Sequence, residues 1–183
     1  MAVYTKISKK DISKINKKFE IERILNFKGI KQGIENTNYL LRSKNEKFIL
    51  TIFEKRVSKK EIPFFMKLMD QLNDLNINCP KPQKNKNGSY LIKIKNKAAC
   101  IVSFLIGKDK KSLNLKNCYD VGKMIAEMHL SSKKINLSRK NSMGIQYLNP
   151  LVNSIKFKSK KFTNIEKFLK LNFKNIKTKC PKK

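Results

Sequence analysis

Three segments rich in β-forming residues follow one another between Phe19 and Phe53, with only short turns between them. They are Phe19–Gly29, Asn38–Arg42 and Lys47–Phe53, and their bulky, partly alternating residues are typical of strands. The first connection contains glycine and asparagine, and the second is the polar sequence SKNE. Strands joined by turns this short pair antiparallel, so the sequence predicts a three-stranded meander.

A helix is predicted directly after the third strand, because apolar residues recur there at helical spacing. Ile62, Phe65, Met69 and Leu72 form a stripe expected to pack on the sheet, and Ser58 is a candidate N-cap.

Two more strands, Ser89–Ile94 and Ala98–Leu105, follow a connector rich in proline, lysine and asparagine. With the meander they predict an α+β fold, in which a five-stranded antiparallel sheet carries one inserted helix. At the N-terminus, Ser8 and Asp11 have the spacing of a capping box and predict a short helix through about Lys18.

Helices are also predicted in the second half of the chain. Val121, Ile125 and Met128 indicate one that ends near His129. A later helix, reaching about Ile176, is indicated by Phe162, Ile165, Phe168 and Leu169.

The net charge of +30 invites a nucleic-acid interpretation, but the composition argues against a specific partner. The basic residues are nearly all lysine, spread along a chain also rich in asparagine and isoleucine, which indicates a codon bias toward A and T. Phenylalanine and tyrosine fall mostly at core-like positions. We therefore expect salt-sensitive, non-specific adhesion to polyanions and no specific nucleic-acid partner.

Metal, disulfide and membrane signals are weak. The four cysteines are widely spaced and His129 is the single histidine, so we expect no zinc site and interpret the thiols as small apolar core residues. No apolar run reaches the length of a bilayer span, and the N-terminus lacks the apolar core of a signal peptide. The prediction is a cytoplasmic protein with no membrane partner; the oligomeric state stays open.

Several stretches carry a family resemblance, and GIENTNY within GIKQGIENTNYLL is the most specific of them. With FILTIFEK, EIPFFMKLMDQL, AACIVSFLIGK and VGKMIAEMHL, in that order, it resembles bacterial homoserine kinases, which belong to the aminoglycoside-phosphotransferase-like, protein-kinase-like class. The resemblance covers about residues 1–130. It implies a small nucleotide-binding lobe over residues 1–105 and the beginning of a mainly helical large lobe over residues 106–183.

The resemblance also implies a function. Homoserine kinases use ATP and Mg²⁺ to phosphorylate the side-chain hydroxyl of L-homoserine, on the route to threonine. The first hairpin of a kinase-like fold covers the ATP phosphates. On that basis Gly29 and Gly33 would supply permissive backbone, and Asn36, Thr37 and Asn38 would supply hydrogen-bond donors. An ordinary Gly/Asn hairpin turn is the alternative.

The third strand departs from the broader kinase pattern. Thr51 stands where kinases usually carry the lysine that pairs with the ATP phosphates. Lys55 or Arg56, near the strand end, would then be the substitute cation. Glu61 is the candidate carboxylate on the following helix; a first-turn glutamate favoured by the helix dipole is the alternative.

The remaining implied site is the hinge between the lobes, placed at Val102–Leu105. There, main-chain groups of residues such as Ser103 and Leu105 would bind the adenine edge.

The catalytic pattern H-x-D-L-x-x-x-N does not occur in the sequence, and His129 is followed by Leu-Ser-Ser. His129 is therefore interpreted as structural. We expect the catalytic aspartate and the magnesium ligands beyond Lys183, and the chain alone to be inactive. Two alternatives stay open: another small-molecule kinase of this fold, acting on choline, an aminoglycoside or a similar acceptor, and a non-enzymatic basic protein that binds nucleic acid.

Overall fold

The computed structural model describes residues 3–54, 59–107, 110, 112–140, 144–154 and 163–179. The chain divides into two compact units, Met1–Leu137 and Ser138–Lys183. The lobe boundary between residues 105 and 106 stays a prediction.

The first unit contains the predicted five-stranded sheet. Its strands are antiparallel in the order β1-β2-β3-β5-β4, and one helix is inserted after the third strand, which confirms the predicted α+β class. The elements are α1 (Lys9–Lys18), β1 (Asn26–Gly29), β2 (Thr37–Arg42), β3 (Lys47–Ile52), α2 (Ile62–Asp74), β4 (Leu91–Ile94), β5 (Lys97–Ser103) and α3 (Leu115–Ser132).

The first strand is shorter than predicted. Phe19 is the C-cap of α1, and its N–H donates to the carbonyl of Ile15, while its side chain is buried in the core. The Asn16 side chain then binds both the N–H and the carbonyl of Ile24, at 2.9 and 3.1 Å. These bonds use backbone groups that a strand ladder would need, so β1 begins only at Asn26.

The predicted capping box at α1 is confirmed. The Asp11 carboxylate accepts from the N–H of Ser8 at 2.9 Å, and Ser8 Oγ accepts from the N–H of Asp11 at 3.4 Å.

We expect Ser8→Ala to lower the free energy of unfolding by about 1 kcal/mol, because the N–H of Asp11 loses the Ser8 Oγ acceptor and the Asp11 carboxylate loses the Ser8 hydroxyl donor. Urea unfolding followed by circular dichroism measures this effect. Ser13→Ala, at an exposed position within α1, is the control and should be neutral or slightly stabilising. Equal losses for the two variants would contradict the capping role.

Each face of the sheet carries a buried cluster formed by described residues. On one face, Leu41, Leu50 and Ile101 pack with Ile15 and Phe19 from the N-terminal helix region. This cluster has more buried members than the one on the other face, and burial of apolar surface is the main favourable term in folding.

On the other face, Ile62 and Met66 of α2 pack on Cys100 of β5, with contributions from Ala98 and Val102. Burial raises the pKa of the Cys100 thiol to about 12, so it behaves as the small apolar core residue that was predicted. The same prediction is wrong for Cys118, which is exposed. Helix α2 therefore covers the β4–β5 part of this face, and Leu40 and Ile49 on the β1–β3 part are not among the residues that pack with it.

The predicted stripe on α2 needs one correction. Phe65 is 37% exposed and packs edge-to-face with Phe64, whereas Met66 is buried against the sheet. The contact runs through Ile62 and Met66, one turn apart, which rotates Phe65 away. Glu61 is the N-cap residue; the candidate cap Ser58 lies outside the described residues.

Helix α3 runs to Ser132, three residues beyond the predicted end. The second unit contains α4 (Ile145–Ser154), which was not predicted, and α5 (Thr163–Lys179), which was; the two pack on each other. Phe162, proposed for the last helix, lies outside the described residues. Among the helices that the structure describes, none has the length and apolar character needed to cross a membrane.

Candidate functional site

The β1–β3 part of the sheet that α2 leaves uncovered is the candidate site. Residues paired directly across strands share a face of the sheet. The register pairs Lys28 with Leu40 and Leu40 with Ile49, and in the next row it pairs Asn38 with Thr51. Both rows continue into β5 through residues that pack under α2, so they lie on the α2 side. We call these five residues, Lys28, Asn38, Leu40, Ile49 and Thr51, the open face.

The open face has apolar and polar parts. Leu40 and Ile49 are half-buried, yet they belong to neither buried cluster. They form a small apolar surface of the kind on which a planar ring can pack. Thr51 Oγ1 donates to Asn38 Oδ1 at 2.8 Å, so the polar pair lies one row closer to the turn between β1 and β2.

The turn between β1 and β2, residues 30–36, borders the open face. Gly33 has φ +102°, a left-handed conformation that favours glycine. The Nδ2 atom of Asn38 lies 4.0 Å from the position that a Cβ on Gly33 would occupy, so this amide donor is next to the turn. Asn36 accepts from the N–H of Glu54 through Oδ1 at 3.4 Å. Gly33 and Asn38 thus lie close together, and their contact with phosphate stays a prediction.

Thr37 lies on the opposite face of the sheet. Its side chain is fully buried, and Oγ1 donates to Glu54 Oε1 at 2.6 Å. The same oxygen accepts from the N–H groups of Tyr4 and Thr5 at 3.0 and 3.1 Å. These contacts engage the hydroxyl within the protein. A contact between Thr37 and ATP stays a prediction.

Four residues are candidates for the cation expected near the third strand. Two of them, the predicted Lys55 and Arg56, lie outside the described residues. Lys97 of β5 lies on the face opposite the open face, where its Nζ forms an ion pair with Glu54 Oε2. Lys28 is on the open face itself, in the same row as Leu40 and Ile49. Sequence reasoning missed Lys28, because a connection of seven residues does not fix the register of β1 against β2.

Glu54 is a second residue that sequence reasoning missed. Its side chain is 9% exposed, and Oε1 accepts from Thr5 Oγ1 at 2.7 Å as well as from Thr37. Burial raises the pKa of Glu54, but the hydrogen bonds from Lys97, Thr37 and Thr5 outweigh it, and the pKa lies below its usual value. The carboxylate is therefore ionised at neutral pH and anchors several chain segments.

The predicted hinge lies where β5 ends. Ser103 donates its N–H to the carbonyl of Lys81 at 2.9 Å and accepts the N–H of Lys81 through Oγ at 2.9 Å. Phe104 donates its N–H to the carbonyl of Lys47, so Leu105 is the first residue after this hydrogen-bonded stretch. Ser103 thus has a fixed backbone, and Leu105 is exposed.

The last two features of the candidate site are the position of Glu61 and the possible ligands for a metal ion. Glu61 immediately precedes α2 and forms no side-chain capping hydrogen bond. Its position suits the helix dipole, and its pairing with a phosphate-binding cation stays a prediction. No group of three histidine, cysteine or acidic residues suited to a metal ion occurs within the described part of the chain.

Comparison with protein families gives a match over most of the chain. Residues 26–149 match the model described as "Phosphotransferase enzyme family". The matched range includes β1, the turn, the open face and the predicted hinge.

Curated relatives agree with the sequence-based resemblance and confirm it. A homoserine kinase from Rhodopseudomonas palustris (strain BisA53) is 37% identical over 146 residues, which cover 80% of this chain and 45% of that protein. A homoserine kinase from Paramagnetospirillum magneticum is 37% identical over 156 residues, covering 85% and 48%. The chain thus spans about half the length of these relatives.

Solved structures show the same fold at low identity. Spectinomycin phosphotransferase, in complex with ADP and spectinomycin, has a TM-score of 0.57 at 12% identity and is matched over 95% of this chain and 56% of its own. A microcompartment-associated aminopropanol kinase has a TM-score of 0.54 at 14% identity, over 75% and 44%.

Proposed function

Because this chain belongs to the phosphotransferase enzyme family, we propose that it forms the nucleotide-binding part of a kinase that transfers phosphate from ATP to the side-chain hydroxyl of L-homoserine, on the route to threonine. The choice of acceptor is supported by relatives named homoserine kinase that are 37% identical. The solved neighbours act on other acceptors, but at 12–14% identity they bear on the fold alone.

The observation that carries the proposal is the open face beside the turn with Gly33. In the proposed complex, the adenine ring packs on Leu40 and Ile49, and the phosphates extend toward the turn. The Nδ2 donor of Asn38, next to Gly33, then has a position from which it would bind a phosphate oxygen. The backbone of residues after Ser103 would bind the edge of the base.

Lys28 is the residue that we propose for the positive charge that Thr51 cannot supply. It is exposed and shares a row with Leu40 and Ile49. Adjacent rows on one face are about 7 Å apart, within the reach of an extended lysine side chain. Its ammonium group would therefore reach phosphates held between the open face and the turn.

Mg²⁺, which partly neutralises the ATP phosphates in kinases, has no acidic site among the described residues. We propose that its ligands, and the aspartate that accepts the hydroxyl proton, are supplied by other parts of the protein. We also place the enzyme in the cytoplasm, in keeping with the sequence-based prediction.

The acceptor is tested with the natural protein purified from its own cells. We expect phosphorylation of L-homoserine at a kcat/KM at least about 100-fold above that for choline or spectinomycin, since a site built for one acceptor rejects the others through unpaired polar groups. A preference for choline or spectinomycin would overturn the choice of homoserine and leave the kinase class standing. Absence of phosphoryl transfer to any alcohol would overturn the kinase itself.

We expect Lys28→Ala to weaken ATP binding by roughly 3- to 10-fold and to leave adenosine binding unchanged, because only ATP carries phosphate charge. Isothermal titration calorimetry with each ligand measures the difference. Lys93→Ala is the matched control, since Lys93 is also exposed and on the α2 side, but on β4 at the far edge of the sheet. Equal losses in the two variants would indicate a general effect of net charge and contradict the assignment.

A further inference from the structure

The N-terminal segment, residues 3–7, contacts the turn at its middle and beyond its end. Tyr4 OH donates to the carbonyl of Ile34, in the turn, at 3.0 Å. The N–H groups of Tyr4 and Thr5 both donate to Thr37 Oγ1, directly after the turn. Partners about 30 residues apart in sequence thus hold the turn from outside the hairpin.

The same segment also contacts the residue that precedes the turn. A Cβ added to Gly29 would lie 2.9 Å from Val3 Cγ2, too close for an ordinary contact. Gly29 therefore permits a close approach of Val3, which explains glycine here without a left-handed conformation. The segment reaches the beginning, the middle and the end of the turn.

Glu54 joins the segment and the turn on the opposite face. Its carboxylate accepts from Thr5 and Thr37, and its N–H donates to Asn36 Oδ1 in the turn. Lys97 donates both to this carboxylate and, at 2.7 Å, to Thr5 Oγ1. The anchored ends of the turn contrast with its centre, where Ile34 is 83% exposed and has little packing of its own.

A turn with little packing depends on its few hydrogen bonds for a single conformation. From this geometry we propose that Tyr4 is a positioning residue, whose hydroxyl fixes the backbone of residues 30–36 in the arrangement that covers the nucleotide phosphates. The role in nucleotide binding rests on the proposed function. Tyr4 acts through the carbonyl of Ile34, and its other hydrogen-bond partner, Thr37, lies on the face opposite the open face.

Hydrogen exchange of Tyr4→Phe, which removes only the hydroxyl, tests the positioning. We expect amide exchange in residues 31–36 to rise by roughly 3- to 10-fold, as for the loss of one hydrogen bond, with exchange in β2 and β3 unchanged. Tyr119→Phe, at an exposed position on α3, is the matched control and should match the wild type. Unchanged exchange in the turn, or an equal rise in the core strands, would overturn the proposal.

Ligand titration of the same variants tests the consequence. We expect Tyr4→Phe to weaken ATP binding by roughly 3- to 10-fold and to leave adenosine binding unchanged, since adenosine lacks the phosphates that the turn covers. Normal ATP affinity with a loosened turn would overturn the role in nucleotide binding. If the wild type binds no ATP, the proposed function fails, and the exchange data alone decide whether Tyr4 positions the turn.

Discussion

Leu50→Ala is expected to lower the free energy of unfolding by about 3 kcal/mol, within the range of about 2–5 kcal/mol for such truncations. Leu50 lies in β3, the central strand, and is 0% exposed. It pairs with Tyr39 and Ile101, both buried in the cluster that includes the N-terminal helix. A cavity there is enclosed by strands on both sides, so the structure has little freedom to collapse into it.

Ile49→Ala is the matched control, because it truncates the neighbouring residue on the other face. Ile49 is half-buried on the open face, so we expect a loss below about 1.5 kcal/mol. For ligand binding we expect the opposite order. Ile49→Ala should weaken the binding of adenosine and of ATP to the same extent, whereas folded Leu50→Ala should bind both ligands normally. Urea unfolding and calorimetry together measure both effects. Equal destabilisation by the two variants would show that the open face is part of the core.

The elements of the sheet could be predicted from the sequence because local composition decides them. The second and third strands were found within one residue, and the predicted stripe from Ile62 to Leu72 lies within the inserted helix, since β-rich runs, short turns and helical spacing agree there. The helix begins three residues later than a cap at Ser58 would place it. The first strand was predicted too long. The first half of the predicted strand has bulky residues typical of a strand. There, however, the side chain of Asn16 binds the N–H and the carbonyl of Ile24, eight residues away, and no local sequence pattern indicates this contact.

The candidate site could be predicted only as a region. Asn38 and Thr37 are neighbours with similar hydrogen-bonding groups, yet they lie on opposite faces because a strand alternates. One is on the open face beside Gly33, and the other is buried with Glu54. To decide which of the two residues lies on the open face, one must know on which face α2 packs. That packing depends on contacts between α2 and β5, which are far apart in the sequence.

Glu54 itself shows why long-range ionic contacts escape sequence reasoning. Its partners Thr5, Thr37 and Lys97 are 49, 17 and 43 residues away, and nothing in the spacing links them. In a chain with 43 lysines and arginines, no sequence pattern distinguishes Lys97 as a partner of this carboxylate. Only the antiparallel register of β3 and β5, combined with the path of the N-terminal segment, brings them together.

Glu54→Ala is expected to lower the free energy of unfolding by about 2–3 kcal/mol at neutral pH. It removes the acceptor shared by Thr5, Thr37 and Lys97, and the two buried threonine hydroxyls lose a charged partner. The value is set below the 3–5 kcal/mol typical of a fully buried broken pair, because the Lys97 side chain is 38% exposed and can be hydrated. Glu127→Ala, on the exposed face of α3, should stay within about 0.5 kcal/mol.

The same carboxylate should make stability depend on pH in a defined window. The folded-state pKa of Glu54 is lowered: burial opposes ionisation, but the bonds from Lys97, Thr37 and Thr5 outweigh it. Between that pKa and the ordinary value of 4.5, the unfolded chain binds more protons, so stability rises with pH there. The contribution of Glu54 is therefore complete above about pH 5 and is lost as the pH falls through the folded-state value.

Glu54→Gln isolates this contribution, because the amide keeps the size of the side chain and does not titrate in that window. We expect the wild type to lose more stability than Glu54→Gln between about pH 6 and about pH 3, measured by urea unfolding at each pH. Asp11, Glu22 and Asp70 also have lowered pKa values and contribute to acid unfolding in both proteins, so the difference between the two curves carries the result. If the free energies of unfolding of the two proteins change in parallel with pH, the ionised Glu54 carboxylate does not stabilise the N-terminal segment. The charge of Glu54 would then have no part in positioning the turn.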